Sequence, residues 1–431
     1  MDTTPFHLIL FALDIAVLGG LFLWFRFRQN SRSKHSEVYH FEKSLYVPSA
    51  KASRRPSSLW DVAGVLLFGG FWLGCLAVLS RLIVTNFVQD RIYHFNVGQC
   101  IAEGIAIHGT LFLLVAAFLL HRNRRTVLAL FACCSAILLA GLSFNMLYWE
   151  PYHVQVAHYE IKTSKLTKPL RIVFVSDMQT DRIGHHEINT LRKIKQQKAD
   201  LIILGGDYLQ TFGSTWEKQL PEKFRQLFLD HPLTAPYGVY AVTGNNHDAE
   251  VSDAELFRET GVIFYLDSVV LENLGADKGL EPIDVVLLGL GDSCGWFGDA
   301  ADVALRNTEG EYTDNFLVMA GHYPNYAIDG STNPETKKSR SGYRQAERAP
   351  DLMLAGHTHG GQVVIPFYGP VPFGGNKYAQ QMPRTMRGGF FTYPNGGHLL
   401  VTRGSGLERG WAPRIRFFCP AEISVINIVP E

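Results

Sequence analysis

Leu170-Arg-Ile-Val-Phe-Val-Ser-Asp177 is an apolar run that ends on a carboxylate. Further runs of the same kind follow it. Leu201-Ile-Ile-Leu leads into Gly205-Gly206-Asp207, Gly238-Val-Tyr-Ala-Val into Gly244-Asn245, Phe316-Leu-Val-Met-Ala into Gly321-His322, and Leu352-Met-Leu-Ala into Gly356-His357-Thr358-His359. Apolar runs of roughly 4–8 residues bounded by Gly or polar residues read as strands buried on both faces of a sheet. The polar groups then collect at one edge, where α/β architectures carry their chemistry on loops held by a rigid support.

Carboxylate, amide oxygen and imidazole together suit borderline divalent ions such as Mn, Fe or Zn, and no Cys stands in the set. Two such ions roughly 3.5–4 Å apart can clamp the attacking and leaving oxygens of a displacement at phosphorus. The expected substrate is therefore a phosphoryl compound. A lone Asp or His at a strand end is commonly a cap or turn residue; that reading does not account for five such positions in register.

The ladder resembles that of the calcineurin-like metallophosphoesterase superfamily. Gly356-His-Thr-His-Gly-Gly-Gln362 with the following Val-Val-Ile-Pro366 is similar to the membrane-associated bacterial branch, YkuE/YaeI-like. Val154–Ile161 before Leu170 resembles the opening strands of that branch, and Thr402-Arg403-Gly404-Ser-Gly406 through Pro413-Arg-Ile-Arg416 to Ile423 resembles its closing segment. The likeness covers about residues 150–431 and says nothing of residues 1–149. It implies one metal held by Asp177, Asp207 and His359, and a second held by Asp207, an Asn of the 245–246 pair, His322 and His357. Asp207 would bridge them. His247, with Asp248 beside it, is the implied catalytic group, an imidazole to protonate the leaving oxygen or steady the phosphoryl group.

Two departures from the family pattern matter. Gln179 stands where the family usually has His, so this position either ligates through its weaker amide oxygen or leaves the first metal loosely held. Gly244-Asn245-Asn246-His247-Asp248 is one residue longer than the usual motif, and both Asn245 and Asn246 remain candidates.

Four apolar stretches precede this domain: 8–25, 62–84, 104–120 and 127–149. About 20 mostly apolar residues span the hydrocarbon core, a length the second and fourth reach and the first and third approach. Asp14 and His108 interrupt the shorter two and are expected to be buried between helices. Residues 1–7 contain no Lys or Arg, unlike a cleavable signal peptide. Eight Lys or Arg lie from Arg26 to Arg55, and Arg122, Arg124 and Arg125 crowd the third link, whereas the 85–103 link has only Arg91. The positive-inside bias then puts the first and third connections in the cytoplasm and the C-terminal domain outside, in a bacterium the periplasmic face of the inner membrane. Tyr148, Trp149 and Tyr152 fit an interfacial anchor. The basic 26–58 loop reads as a topology determinant, with contact to anionic headgroups as the alternative.

Forty basic and 40 acidic residues balance, which gives no reason to expect nucleic acid as a partner. The expected partners are the bilayer and a phosphorylated small molecule or lipid. None of the six Cys forms Cys-x-x-Cys, so a zinc ribbon or thioredoxin-type site is unsupported. Cys294 and Cys419 either pair in an oxidising compartment or stay buried thiols. The polar stretch 329–348 reads as a loop between two site segments. Its Lys337, Lys338, Arg340, Arg344 and Arg348 can steer an anion, or simply be solvated. Gly295-Trp296-Phe297-Gly298 and Phe390-Phe391-Thr-Tyr393 offer apolar contacts for a lipid tail, or core packing.

The expectation is thus an α/β four-layer metallophosphoesterase sandwich, two mixed sheets flanked by helices, over residues 150–431. A four-helix transmembrane region over 1–149 precedes it. Amphipathic helices are expected near 187–198 and 254–260. The function expected is hydrolysis of a phosphodiester or pyrophosphate bond in a lipid or lipid-linked headgroup by two divalent ions. The alternatives are a UDP-diacylglucosamine-type pyrophosphohydrolase and a metal-dependent sensor impaired by the His-to-Gln change.

Overall fold

The computed structural model describes residues 10–20, 22–23, 69–70, 72–74, 102–210, 219–246, 253–291, 314–324, 350–371, 387–394, 396–408 and 413–431. His247, Asp248, Cys294, the 295–298 aromatics, the 329–348 loop, the 26–58 loop and most of the 62–84 stretch lie outside these residues. The chain divides into two compact units, Met1–Phe144 and Asn145–Glu431.

In the first unit a short apolar helix, α1 (Leu10–Gly20), is followed by α2 (Thr110–Arg122) and α3 (Thr126–Phe144). Including the wider turns at their ends, the helices Ala102–Arg122 and Thr126–Trp149 are long and apolar enough to cross a membrane, the two that meet this test among the described residues. The interior of this unit holds Leu119, Leu120, Phe112 and Trp72 together with small residues, and many large apolar side chains face outward. Ala116, Ala129, Ala132 and Ala136 are buried, while Leu130, Phe131, Ile137 and Leu138 are exposed. Small residues let helix backbones approach closely, and large aliphatics facing outward suit lipid. Asp14 and His108 are buried as expected, and they meet: His108 Nδ1 lies 2.6 Å from Asp14 Oδ2, and Trp72 Nε1 donates to Asp14 Oδ1 at 2.6 Å.

The second unit holds two six-stranded mixed sheets. The first has the order β1 (Gln155–Thr163), β14 (Glu422–Pro430), β2 (Leu170–Val175), β3 (Leu201–Leu204), β4 (Gly238–Val242), β5 (Ile263–Tyr265). The second has the order β12 (Gly389–Thr392), β13 (His398–Val401), β9 (Leu352–Ala355), β8 (Phe316–Gly321), β7 (Ile283–Leu288), β6 (Val269–Leu274). A small antiparallel hairpin, β10 (Val364–Ile365) with β11 (Gly369–Pro370), stands apart. Strands β2 to β5 run parallel, as do β7 to β9.

Alternation along each strand divides the core. On β2, Ile172 and Phe174 face the second sheet and meet Val285, Val318 and Leu354, whereas Val173 and Val175 face the helices. A strand residue and its neighbour point to opposite faces, so a run that is apolar at every position is what two covered faces require. On the helix side lie α4 (His185–Gln196), through Leu191 and Ile194, and α5 (Leu220–Asp230), through Phe224, Leu227 and Phe228. The helix expected at 254–260 is a single turn, α6 (Asp253–Leu256). Thr260 Oγ1 donates to the Phe257 carbonyl at 2.7 Å, and this local bond competes with further helical turns. Among the described residues helices cover the first sheet, and none is found there on the outer face of the second, so the described residues show two mixed sheets with helices rather than the full four layers.

The aromatic tract at 388–393 is strand β12 at the edge of the second sheet. Phe390 stacks on Tyr159 at 5.4 Å and on His398 at 5.2 Å, so packing accounts for it. Cys419 is a buried thiol whose Sγ lies 3.2 Å from the His359 carbonyl oxygen.

Candidate metal centre

The parallel runs β2–β4 and β8–β9 release the candidate side chains at their carboxyl ends, and hydrogen bonds tie the two edges together. The Asp177 amide donates to the Gly206 carbonyl at 3.0 Å, and the His357 amide donates to both Asp177 carboxylate oxygens at 3.0 Å. His322 Nδ1 lies 2.9 Å from the Gly205 carbonyl oxygen, so it donates there and turns Nε2 inward. The approach leaves no room for side chains on the crossing segments. A Cβ on Gly244 would lie 2.0 Å from Asp207 Oδ1, and one on Gly356 would lie 2.5 Å from Asp177 Oδ2.

Five candidates carry left-handed backbones: Asp177 (φ 56°), Gln179 (φ 40°), Asp207 (φ 57°), His357 (φ 69°) and His359 (φ 49°). Such conformations are unfavourable for non-glycine residues and persist where the surroundings over-determine them, typically at functional sites.

The inward atoms are nearly all acceptors. Ligand atoms of Asp207, His322 and His357 all lie within 4.8 Å of one another. His322 Nε2 is 3.3 Å from Asp207 Oδ2, 2.9 Å from Asn245 Oδ1 and 3.2 Å from His357 Nδ1. The asparagines separate here. Asn245 turns its carbonyl oxygen into this cluster, whereas Asn246 donates to Asp207 twice, from its backbone N at 2.8 Å and from Nδ2 at 3.0 Å.

Asp177, Gln179 and His359 form a second group, which meets the first at Asp207 through Gln179. His359 Nε2 is 3.5 Å from Asp177 Oδ1. Gln179 Nε2 donates to Asp207 Oδ2 at 3.2 Å and to Glu408 Oε2 at 2.9 Å. Gln179 Oε1 and both ring nitrogens of His359 are buried and have no hydrogen-bond partner among the described residues. Leaving a buried polar group unsatisfied costs about 1–3 kcal/mol, and Gln179 Oε1 with the one lone-pair nitrogen of the neutral His359 ring, beside a carboxylate pair, fits a cation.

The charges of the chain's own groups point the same way. Burial pushes Asp177 up to about 7, the Asp207 charge adds to that, and the His322 charge opposes it. For Asp207, burial works against ionisation, but the neighbouring His322 charge and the Asn246 amide outweigh it and hold the carboxyl below its usual range. His322 is raised to about 9 against its own burial by Asp207 and Asp177. His359 is held well below its ordinary value by burial and by the Arg416 guanidinium. A proton on His322 thus stands where a divalent ion would neutralise the same carboxylates.

The supporting residues were not legible in the sequence. Glu408 accepts from Gln179 and, at 2.8 Å, from Gln210 Nε2, and its own amide donates to Gln362 Oε1 at 2.8 Å. Buried Arg416 donates to the carbonyls of Arg403 at 2.8 Å and of Cys419 at 2.9 Å, and to that of Gly406. It thereby fixes the 403–406 segment, whose Ser405 and Gly406 amides donate to the Ser176 and Asp177 carbonyls at 3.0 and 2.8 Å. The quoted closing segment contains Arg416, but nothing in its spacing marks a carbonyl clamp. His247 and Asp248, the expected catalytic pair, lie outside the described residues.

Residues 170–361 match the family model of the calcineurin-like phosphoesterases, a stretch that contains every candidate from Asp177 to His359. The protein is a metal-dependent phosphoester hydrolase. More narrowly, the chain carries a calcineurin-like metallophosphoesterase domain. It is similar to the uncharacterized metallophosphoesterase YkuE of Bacillus subtilis, 26% identical over 293 residues that make up 65% of this chain and 87% of that protein. It is also similar to the phosphodiesterase YaeI of Escherichia coli, 25% identical over 293 residues, 66% of this chain and 92% of that one. Among solved structures, a dimetal phosphatase from Danio rerio superposes with a TM-score of 0.30 at 12% identity, over 55% of this chain and 87% of that chain.

Proposed function

We propose that the protein is a membrane-anchored phosphodiesterase or pyrophosphatase that uses two divalent cations and acts on a lipid or lipid-linked headgroup. The observation that carries the metal part is the convergence of Asp207, His322 and His357 ligand atoms within 4.8 Å. In this reading Asp207, Asn245, His322 and His357 hold one ion, and Asp177, Gln179, Asp207 and His359 hold the other. Asn246 orients the shared carboxylate. Mn, Fe or Zn suits this donor set, and when bound the pair supplies Lewis acidity and charge neutralisation at phosphorus.

The chain's own groups prepare that centre. His322, its Nδ1 hydrogen on the Gly205 carbonyl, presents Nε2. The Asp177 carboxylate, held by the His357 amide, bridges the two sheet edges. His247 is the candidate to hand a proton to the leaving oxygen, and Asp248 is its candidate orienting partner.

The membrane part is supported by the two apolar helices and their outward-facing Leu, Ile and Phe. The basic residues at 26–55 and 122–125 favour a catalytic domain on the outer face of a bacterial inner membrane.

The test is turnover of bis-p-nitrophenyl phosphate by the full chain in nanodiscs with Mn²⁺. Asp207→Asn removes several kcal/mol of transition-state charge stabilisation, on the order of a thousandfold in rate. Undiminished turnover in that variant would refute the assignment.

A further inference from the structure

Segments that backbone hydrogen bonds join at the last turn of the helix Thr126–Trp149 carry exposed aromatic side chains. Tyr148, Trp149, Tyr152, Tyr368 and Phe418 are between 43% and 65% exposed, and Phe367 is fully exposed. Hydrogen bonds bring these distant parts of the sequence together. The Arg416 amide donates to the Met146 carbonyl at 3.1 Å, which lays the 416–418 segment along the last turn. Phe417 then pairs with the β10–β11 hairpin, since the Val364 amide donates to the Phe417 carbonyl at 2.8 Å and the Phe417 amide to the Gln362 carbonyl at 3.0 Å. Phe367 and Tyr368 form the turn of that hairpin.

The hairpin sequence Val363-Val-Ile-Pro-Phe-Tyr-Gly-Pro-Val371 contains no charged residue. Surface turns are ordinarily polar, and exposed apolar side chains are ordinarily scattered singly. A turn made of Pro, Phe and Tyr beside a Tyr-Trp pair is suited to a surface that is apolar on one side and wet on the other.

We propose that this cluster is a docking surface for the lipid bilayer that anchors the chain, with Phe367, Tyr368 and Phe418 seated at the boundary of headgroups and acyl chains. The inference rests on the membrane-anchored reading above. Helix length supports this occupant. The helix Thr126–Trp149 has 24 residues; at 1.5 Å per residue that is about 36 Å, against a hydrocarbon core of about 30 Å. Its last turn therefore emerges at headgroup level, where Trp and Tyr are favoured. The hairpin also follows His359 directly through Gly360-Gly361-Gln362, and Gln362 Oε1 accepts from the Glu408 amide at 2.8 Å. A hairpin seated in the membrane thus holds the candidate centre near the headgroup plane, which suits a phosphate carried on a lipid.

The test is photo-crosslinking of the full chain in nanodiscs of phosphatidylethanolamine and phosphatidylglycerol, with p-benzoylphenylalanine placed at one position per variant. Leu138 on the span, 63% exposed, reports anchoring, and Phe367 reports docking. Glu259, which precedes the edge strand β5 at the far side of the first sheet from β1, is the water-facing control. The expected result is lipid adducts at 138 and 367, with yield at 367 at least roughly fivefold above 259, as burial at the interface requires. Adducts at 138 but not 367 overturn the docking surface and leave anchoring intact. No adduct at 138 removes the anchoring reading and the proposal with it. Adducts at 367 to a second copy of the chain, or equal lipid yields at 367 and 259, also overturn it.

Discussion

Replacing Glu408 by Ala removes the carboxylate that holds the Gln179 amide. Glu408 accepts from Gln179 Nε2 at 2.9 Å and from Gln210 Nε2 at 2.8 Å. Hydrogen bonds to a charged group are worth about 1.5–3 kcal/mol each. After the substitution Gln179 Nε2 keeps only its 3.2 Å contact with Asp207 among these bonds. The amide is then free to rotate, and Oε1 no longer has a fixed direction. Loss of an outer partner to a metal ligand commonly costs 10–100-fold in affinity, about 1.4–2.7 kcal/mol. We expect Mn²⁺ titrations of the full chain, followed by electron paramagnetic resonance, to show one ion weakened by that factor and the other nearly unchanged. Glu408→Gln, which retains one acceptor oxygen, should fall between. If both affinities stay within about threefold of wild type while thermal stability drops, Glu408 is merely structural and Gln179 is no ligand.

Two further outcomes follow from the same geometry. Gln179→His supplies an imidazole in place of an amide, a better donor for Zn²⁺, and calorimetry should show roughly tenfold tighter Zn²⁺ binding; weaker binding would mean that the amide oxygen is already the better fit. Asp253 is raised from 3.8 to about 7 by burial and by the Asp207 charge, and its Oδ2 has no hydrogen-bond partner among the described residues. Because the folded chain holds this proton more tightly than the unfolded one, Asp253 lowers stability as pH rises from about 4 to about 7, with the effect complete above that range. In metal-free protein Asp253→Asn should gain up to about 4 kcal/mol over wild type between pH 4 and 8; urea melts showing the same difference at both pH values would refute this.

The hydrolase was legible because its strands are buried on both faces. Leu201-Ile-Ile-Leu and Leu352-Met-Leu-Ala must be apolar at each position, so the first Asp or His after them stands out against an uninterrupted background. The same local logic placed α4, whose Leu191 and Ile194 repeat at helical spacing, and marked Asp14 and His108 for burial between helices, since an ionisable group in an apolar segment is costly to expose to lipid.

Tertiary structure alone decided matters of direction and distance. The sequence held Asn245 and Asn246 as equals; only the fold turned the carbonyl of one toward His322 and gave both donors of the other to Asp207. Glu408 lies 229 residues from the Gln179 it holds, and Arg416 clamps carbonyls that carry no sequence signal at all. The helix that stopped after one turn at Leu256 is followed by a left-handed Glu259 (φ 65°), a reversal that periodicity does not reveal. Residue type and periodicity are local properties and can be read along the chain. A ligand's orientation is set by whichever partner long-range packing brings to its other end, and that partner is known only when the chain is folded.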